Sequence, residues 1–138
     1  MSYLDRIAAC RIDDMSAYRR FIVDGVPLGW VKDDFAAHLR DFPEVFRVAD
    51  AAVGLAPGLK GFEARTEAVD GAVRALKARG AIEGWFEEKF PAKLSHGAKP
   101  VFDIERAAVS MFGLPSFGVH MNGFVIKEDG LYMWVAER

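Results

Sequence analysis

The strongest constraint on the fold is a hairpin written into the end of the chain. Residues 118–126 (GVHMNGFVI) are rich in apolar residues that tolerate an extended backbone, and Leu131–Ala136 is apolar again. Between them, Lys127-Glu128-Asp129-Gly130 is a turn whose glycine can supply a positive φ. With these four residues as the loop, Ile126 faces Leu131, Gly123 faces Trp134 and His120 faces Glu137. An indole laid over a strand glycine covers backbone that is otherwise bare. Strand side chains alternate, so His120, Asn122, Phe124 and Ile126 share one face. Two polar residues on an otherwise apolar face mark a candidate site.

Upstream, Ser2 can cap a first helix, with Asp5 closing a short-armed capping box. Leu4, Ile7, Ala8 and Ile12 give that helix an apolar stripe, on which Cys10 is expected to pack as a small hydrophobe. Arg20–Val31 reads as a second hairpin turned by Asp24-Gly25, and Pro27 marks its strand as an edge strand or a short one. Asp34 is expected to cap a helix carrying Phe35, His38, Leu39 and Phe42 on one stripe, ended by Pro43, with His38 buried or at its rim. Val45–Val48 and Ala52–Leu55 read as short strands. The longest helix runs over Phe62–Arg79, its inner face formed by Phe62, Thr66, Val69, Val73 and Leu76, and Gly80 stops it. Gly84–Lys99 reads as an irregular aromatic loop, of a length that is often functional, in which Trp85, Phe86 and Phe90 are expected to fill core gaps more readily than to serve a site. Val101–Gly113 fits either a helix, through Ile104, Ala107, Ala108 and Met111, or a strand, through Phe102, Ile104, Ala108 and Phe112. The fold class is α+β, with hairpins and two or three helices over residues 1–117 and the opening hairpin of a second unit over 118–138.

Composition removes several classes of function. A chain of 138 residues, 51% hydrophobic and 28% charged, is an ordinary globular sequence that can bury a core. Its formal net charge of −2 gives no electrostatic reason to expect nucleic acid or an anionic membrane as partner. No apolar run approaches the roughly 18–20 residues of a membrane span. The start MSYLDRIAAC lacks the basic and apolar regions of a signal peptide, so the expectation is a cytoplasmic protein. Cys10 is the single cysteine, which leaves no intrachain disulfide and no thiolate zinc site.

A family resemblance rests on Ile104-Glu105-Arg106-Ala107-Ala108, Phe112-Gly113, Gly118-Val119-His120-Met121-Asn122-Gly123-Phe124, Asp129-Gly130 and Trp134-Val135-Ala136. It extends back through Val26-Pro27-Leu28-Gly29-Trp30-Val31, Phe42-Pro43-Glu44-Val45-Phe46 and Gly84-Trp85. These resemble a Nudix hydrolase subfamily with a distinct N-terminal domain, related to the Nudix part of fungal thiamine pyrophosphokinase fusions. The resemblance implies that residues 1–117 are that N-terminal domain and 118–138 the first hairpin of a Nudix sheet. The catalytic Nudix helix would lie downstream of Arg138. It also implies an intact diphosphatase acting on thiamine-diphosphate-like compounds with Mg²⁺ or Mn²⁺. The partners implied for this chain are a C-terminal Nudix domain, a small phosphorylated ligand and a second copy in a homodimer.

The catalytic box itself does not match. Gly61 and Glu67 reproduce its first spacing, but the chain then reads Ala75-Leu76-Lys77-Ala78-Arg79, without the carboxylates that would hold a hard cation. Glu63 and Glu67 read as a solvated pair complementing the helix dipole. His38, His96 and His120 have no metal-like spacing. The chain alone is therefore expected to be inactive, with no catalytic residue and no metal ligand. Arg106, His120 and Asn122 are the candidate substrate-binding residues, because they occupy matching positions in the family's most distinctive stretch. Arg106 can take a phosphate through its planar fork, or pair with a neighbouring carboxylate. His120 and Asn122 can face a ligand, or fix the strand by hydrogen bonding. Trp30, Trp85 and Trp134 are expected to pack in the core more readily than to stack on a heterocycle. The competing reading is a stand-alone binding or dimerisation module, to which an exposed sheet edge at 118–136 would be suited.

Overall fold

The first helix starts as its cap dictates. In the computed structural model, which describes residues 2–11 and 14–136, α1 spans Tyr3–Ala9. Ser2 Oγ accepts from Asp5 N at 3.2 Å, and the Asp5 carboxylate accepts from Ser2 N at 2.6 Å. The helix buries none of its residues, and Leu4, Ile7 and Cys10 are exposed. The expected packing of Cys10 is thus overturned: a two-turn helix with no apolar surface laid over it offers the thiol no interior. The place of Ile12 on that stripe lies outside the described residues.

The main sheet grows from two local turns. Strands β1 (Tyr18–Val23) and β2 (Val26–Lys32) are joined by Asp24 and Gly25, both with positive φ (50° and 79°), the twist-matched turn that Asp-Gly favours. Helix α2 (Asp33–Leu39) follows without a break. Lys32 is its cap and supplies no side-chain hydrogen bond, so Asp34 lies inside the first turn and is not the cap. The helix begins early because β2 feeds straight into it, with the Asp33 carboxylate taken up by Arg19 at 2.8 Å. Phe35, Ala36, Leu39 and Phe42 are buried, while His38 stands exposed. Strands β3 (Phe46–Val48) and β4 (Ala52–Leu55) pair antiparallel, and β4 runs parallel to β1. The sheet order β2-β1-β4-β3 leaves β2 on the edge, where Pro27 requires it.

Helix α3 (Phe62–Ala78) buries Arg65, Val69, Ala72, Val73 and Leu76 and packs on the Phe102–Glu105 segment. Arg65, 8% exposed, donates to Leu59 O and to the Asp24 carboxylate, fastening the β1–β2 turn to the helix. Strands β5 (Lys89–Ala92) and β6 (Phe102–Glu105) form a second, two-stranded sheet. So 84–99 is not irregular throughout: the β5 sequence KFPA carries a proline and no alternation, and only its pairing with β6 makes it a strand. The ambiguous 101–113 stretch is divided, strand to Glu105 and then a single 3-10 turn over Arg106–Ala108.

Phe112 sits where these elements meet, with ring centroids 5.2 Å from Phe21, 5.4 Å from Phe35 and 5.6 Å from Phe46. To reach that position, the 112–113 backbone runs against β2. Trp30 N donates to Phe112 O at 3.1 Å. A Cβ on Gly29 would strike the carbonyl oxygens of Phe112 and Gly113, and one on Gly113, whose φ is +55°, would strike Trp30 O. Two glycines are needed because two backbones touch.

The last hairpin comprises β7 (Phe124–Lys127) and β8 (Gly130–Met133). Ile126 pairs with Leu131 as read from the sequence, and the ladder closes one pair further, so Glu128-Asp129 is the loop. Trp134 N donates to Gly123 O at 2.9 Å, and the indole lies over Gly123. The strand is shorter than 118–126, however, because residues 118–123 lie outside the assigned ladder. The pairing of His120 with Glu137 lies outside the described residues. Every described residue from Ser116 to Ala136 is exposed.

Candidate functional site

The candidate site is built outward from a buried carboxylate. Glu105, 1% exposed at the end of β6, accepts through Oε1 from Phe86 N at 2.9 Å and Ala107 N at 3.2 Å. A carboxylate at that depth is tolerated only when hydrogen-bonded. These two bonds tie the 84–88 segment to the 3-10 turn, and so fix the position of the next residue, Arg106. Arg106 N donates to Glu88 O at 2.8 Å, its NH1 donates to Glu88 Oε2 at 2.8 Å, and its guanidinium stands 4.8 Å from the Phe86 ring centroid.

Arg106 lines an open cleft of about 530 Å³ with Glu88, Phe90, Ser110, Ser116 and Phe117. Phe117 is edge-on to His96 at 6.0 Å, and Lys93 Nζ lies 5.6 Å from its ring centroid. The Arg106–Glu88 pair is half exposed on both sides, a class of ion pair worth about 0–1 kcal/mol. Only NH1 is engaged, so Nε and NH2 make no hydrogen bond among the described residues. The cleft therefore offers guanidinium and hydroxyl donors together with aromatic surface, the donor set that suits a phosphorylated ligand.

His120 and Asn122 are placed elsewhere. Both precede β7, are exposed, make no hydrogen bond among the described residues, and do not line the Arg106 cleft. Neither of the two alternatives, a ligand or a strand-fixing hydrogen bond, is met among the described residues, because none of them covers either face of the hairpin. Of the tryptophans, only Trp85 packs partly against the core, so the expected core packing fails for the other two. Trp30 is 36% exposed and Trp134 77%. Phe90 likewise packs on the core, but Phe86 lies outside it beneath Arg106.

Glu88, Ser110, Ser116 and Phe117 escaped sequence reasoning. Glu88 is next to Arg106 only because β5 pairs with β6, with Lys89 opposite Glu105. A segment read as irregular carries no register from which that neighbour could be inferred. Beneath the site, Asp70 on α3 accepts from Arg74 at 2.7 Å and from Lys89 on β5. Burial alone would raise the Asp70 pKa, but the bonded Lys89 and Arg74 outweigh it and hold the carboxyl below its ordinary value. Among the described residues no three His, Cys, Asp or Glu side chains are grouped to hold a metal ion.

Comparison with known proteins adds the following. A family described as a domain of unknown function, DUF4743, matches residues 2–116. Nudix hydrolase 24, chloroplastic, from Arabidopsis thaliana is 30% identical over 99% of this chain and 38% of its own length. Nudix hydrolase 20, chloroplastic, from the same plant is 29% identical over 99% of this chain and 39% of its own. An uncharacterized protein of Saccharomyces cerevisiae is 26% identical over 70% of this chain and 29% of its own. The chain thus spans well under half the length of these relatives.

Proposed function

Because the chain belongs to the DUF4743 family and is related to Nudix hydrolases along 99% of its length, we propose that it is the N-terminal substrate-recognition part of a Nudix-type diphosphatase. The observation that carries this reading is the 30% identity to a named Nudix hydrolase of which the chain covers 38%. The proposed substrates are thiamine-diphosphate-like compounds, and Arg106 with Ser110 and Ser116 contacts their phosphate. Residues 118–138 are the opening hairpin of the Nudix sheet. Two observations support that boundary: the family match stops at residue 116, and the described hairpin is bare on both faces. In the longer chain, His120 and Asn122 face the substrate from that hairpin.

The donor set among the described residues does not fit Mg²⁺ or Mn²⁺, so the proposed ion would be held by the carboxylates of the catalytic box. No helix among the described residues is long and apolar enough to cross a membrane. The proposed compartment is the cytoplasm, although both plant relatives are named as chloroplastic.

The test has two steps. The reading frame after Arg138 in the source genome is expected to encode a Glu-rich Nudix helix. In the longer chain, Arg106→Gln is expected to raise KM for thiamine diphosphate about tenfold or more with melting unmoved, the mark of lost ground-state binding. A stop codon after Arg138, or an unchanged KM, overturns the reading. A second reading, a stand-alone dimerisation module, is favoured by one observation: Val119, Met121, Ile126, Leu131 and Trp134 are all exposed on one hairpin. It expects a concentration-dependent dimer of this chain by sedimentation, lost in Ile126→Lys. A monomer at hundreds of micromolar removes it.

A further inference from the structure

We propose that the cleft between the start of β1, the end of β2 and α2 is a ligand site for a planar heteroaromatic ring carrying an anionic group. Its volume is about 320 Å³, and Tyr18, Trp30 and Phe35 form its aromatic walls. Trp30 is the anchor. Its backbone is clamped by the Phe112 carbonyl and by the glycine-to-glycine approach described above. The Arg20 guanidinium lies 4.9 Å from its ring centroid, and 36% of the residue is still exposed. The tryptophan is thus held in place without being covered, which lowers the ordering cost of stacking a ring on it.

The polar groups of the cleft are unspent. Arg19, Arg65, Arg74, Arg79, Lys89 and Arg106 all pair with carboxylates. The side chains of Lys32, Asp34, His38 and Tyr18, by contrast, make no hydrogen bond or ion pair among the described residues, yet all four line this one cleft. Three sheet and helix elements bring them together, which a merely solvated surface does not require. An ammonium and an imidazole beside an aromatic wall take the anion and the ring of one molecule, and the Asp34 carboxylate accepts from the ring's N–H donors. Ser110 lines both this cleft and the Arg106 cleft, so its response alone does not tell the two apart.

The experiment is an amide and indole NMR titration of the 138-residue chain with adenosine 5′-monophosphate and with nicotinamide mononucleotide. Adenosine, nicotinamide riboside and inorganic phosphate serve as the separated parts. Saturable shifts are expected at the Trp30 indole N–H, Ala81 and Met111, with at least one nucleotide bound about tenfold or more tightly than either part. Lys32→Gln, an exposed change that leaves the fold intact, is expected to reduce nucleotide affinity to that of the matching nucleoside. Trp30→Leu is expected to abolish the Ala81 and Met111 shifts for nucleotide and nucleoside alike. No saturation by either nucleotide up to about 10 mM, shifts confined to Glu88, Arg106 and Phe117, or unchanged binding by Lys32→Gln would each overturn the proposal. Because the readout is binding by this chain, its failure leaves the diphosphatase reading standing, and the reverse also holds.

Discussion

The β1–β2 and β7–β8 hairpins each turn in two residues, Asp24-Gly25 and Glu128-Asp129, and each carries an apolar face. Around the first, Phe21, Val23, Leu28 and Val31 are buried, and Arg65 of α3 grips the turn. Around the second no described residue packs. Phe124, Val125, Ile126, Leu131, Tyr132 and Met133 are exposed, and the turn is braced from within by Tyr132, which donates to Asp129 at 2.6 Å. Turn chemistry and side-chain alternation make a hairpin, but burial is conferred by whatever the rest of the protein lays on it. An isolated two-stranded hairpin is at best marginal in water. The β7–β8 surface is therefore energetically unfinished, while β1–β2 is the floor of a complete core.

Matched truncations should break the two hairpins apart most sharply. Phe21→Ala empties a site touched by Phe102 and Phe112 and is expected to cost about 3–5 kcal/mol in denaturant unfolding. Phe124→Ala should cost less than about 0.5 kcal/mol, as exposed changes do. Equal losses would mean that the hairpin is covered in solution. At the turns, Asp24→Asn keeps a residue that tolerates positive φ but strips the charge facing the buried Arg65 guanidinium, an expected loss of about 1 kcal/mol. Asp129→Asn should leave the melting curve alone. It should instead be seen at Tyr132, whose hydrogen bond to the Asp129 carboxylate raises the phenol pKa. Without that acceptor the phenol should ionise at lower pH in an absorbance titration.

What the sequence revealed follows the same division. The Asp24-Gly25 turn, the Ile126–Leu131 register, the Gly123–Trp134 contact and α3 from Phe62 were all legible, because each depends on one turn or one helix and no distant partner. The misplacements were non-local. Cys10 and Trp134 are exposed because no surface among the described residues reaches them, which no periodicity reports. Asp34 lost its capping position to a strand that runs into the helix. Glu88 was missed beside Arg106 because the β5–β6 pairing was invisible in KFPA. Arg106 itself was legible as a donor, but the buried Glu105 that orients it reads in sequence as an ordinary surface acid.

The smallest expected effect is also the most discriminating. Reading the hairpin as a half-buried strand would make Asn122 a buried amide, whose removal orphans a partner at a cost of about 1–3 kcal/mol. In the structure Asn122 and His120 are exposed and hold no partner among the described residues, so nothing is orphaned when they go. Asn122→Ala and His120→Ala should each shift the unfolding free energy of this chain by no more than about 0.5 kcal/mol. The comparison sharpens when the same changes are made in a chain that continues into a Nudix sheet. There the two side chains acquire a surface to face. If that surface is substrate, KM rises while melting stays put; if it is protein, melting falls first and kinetics follow only through unfolding. A loss of about 1–3 kcal/mol already in the 138-residue chain would show instead that the hairpin finds a partner by itself, and the contrast with β1–β2 would then dissolve.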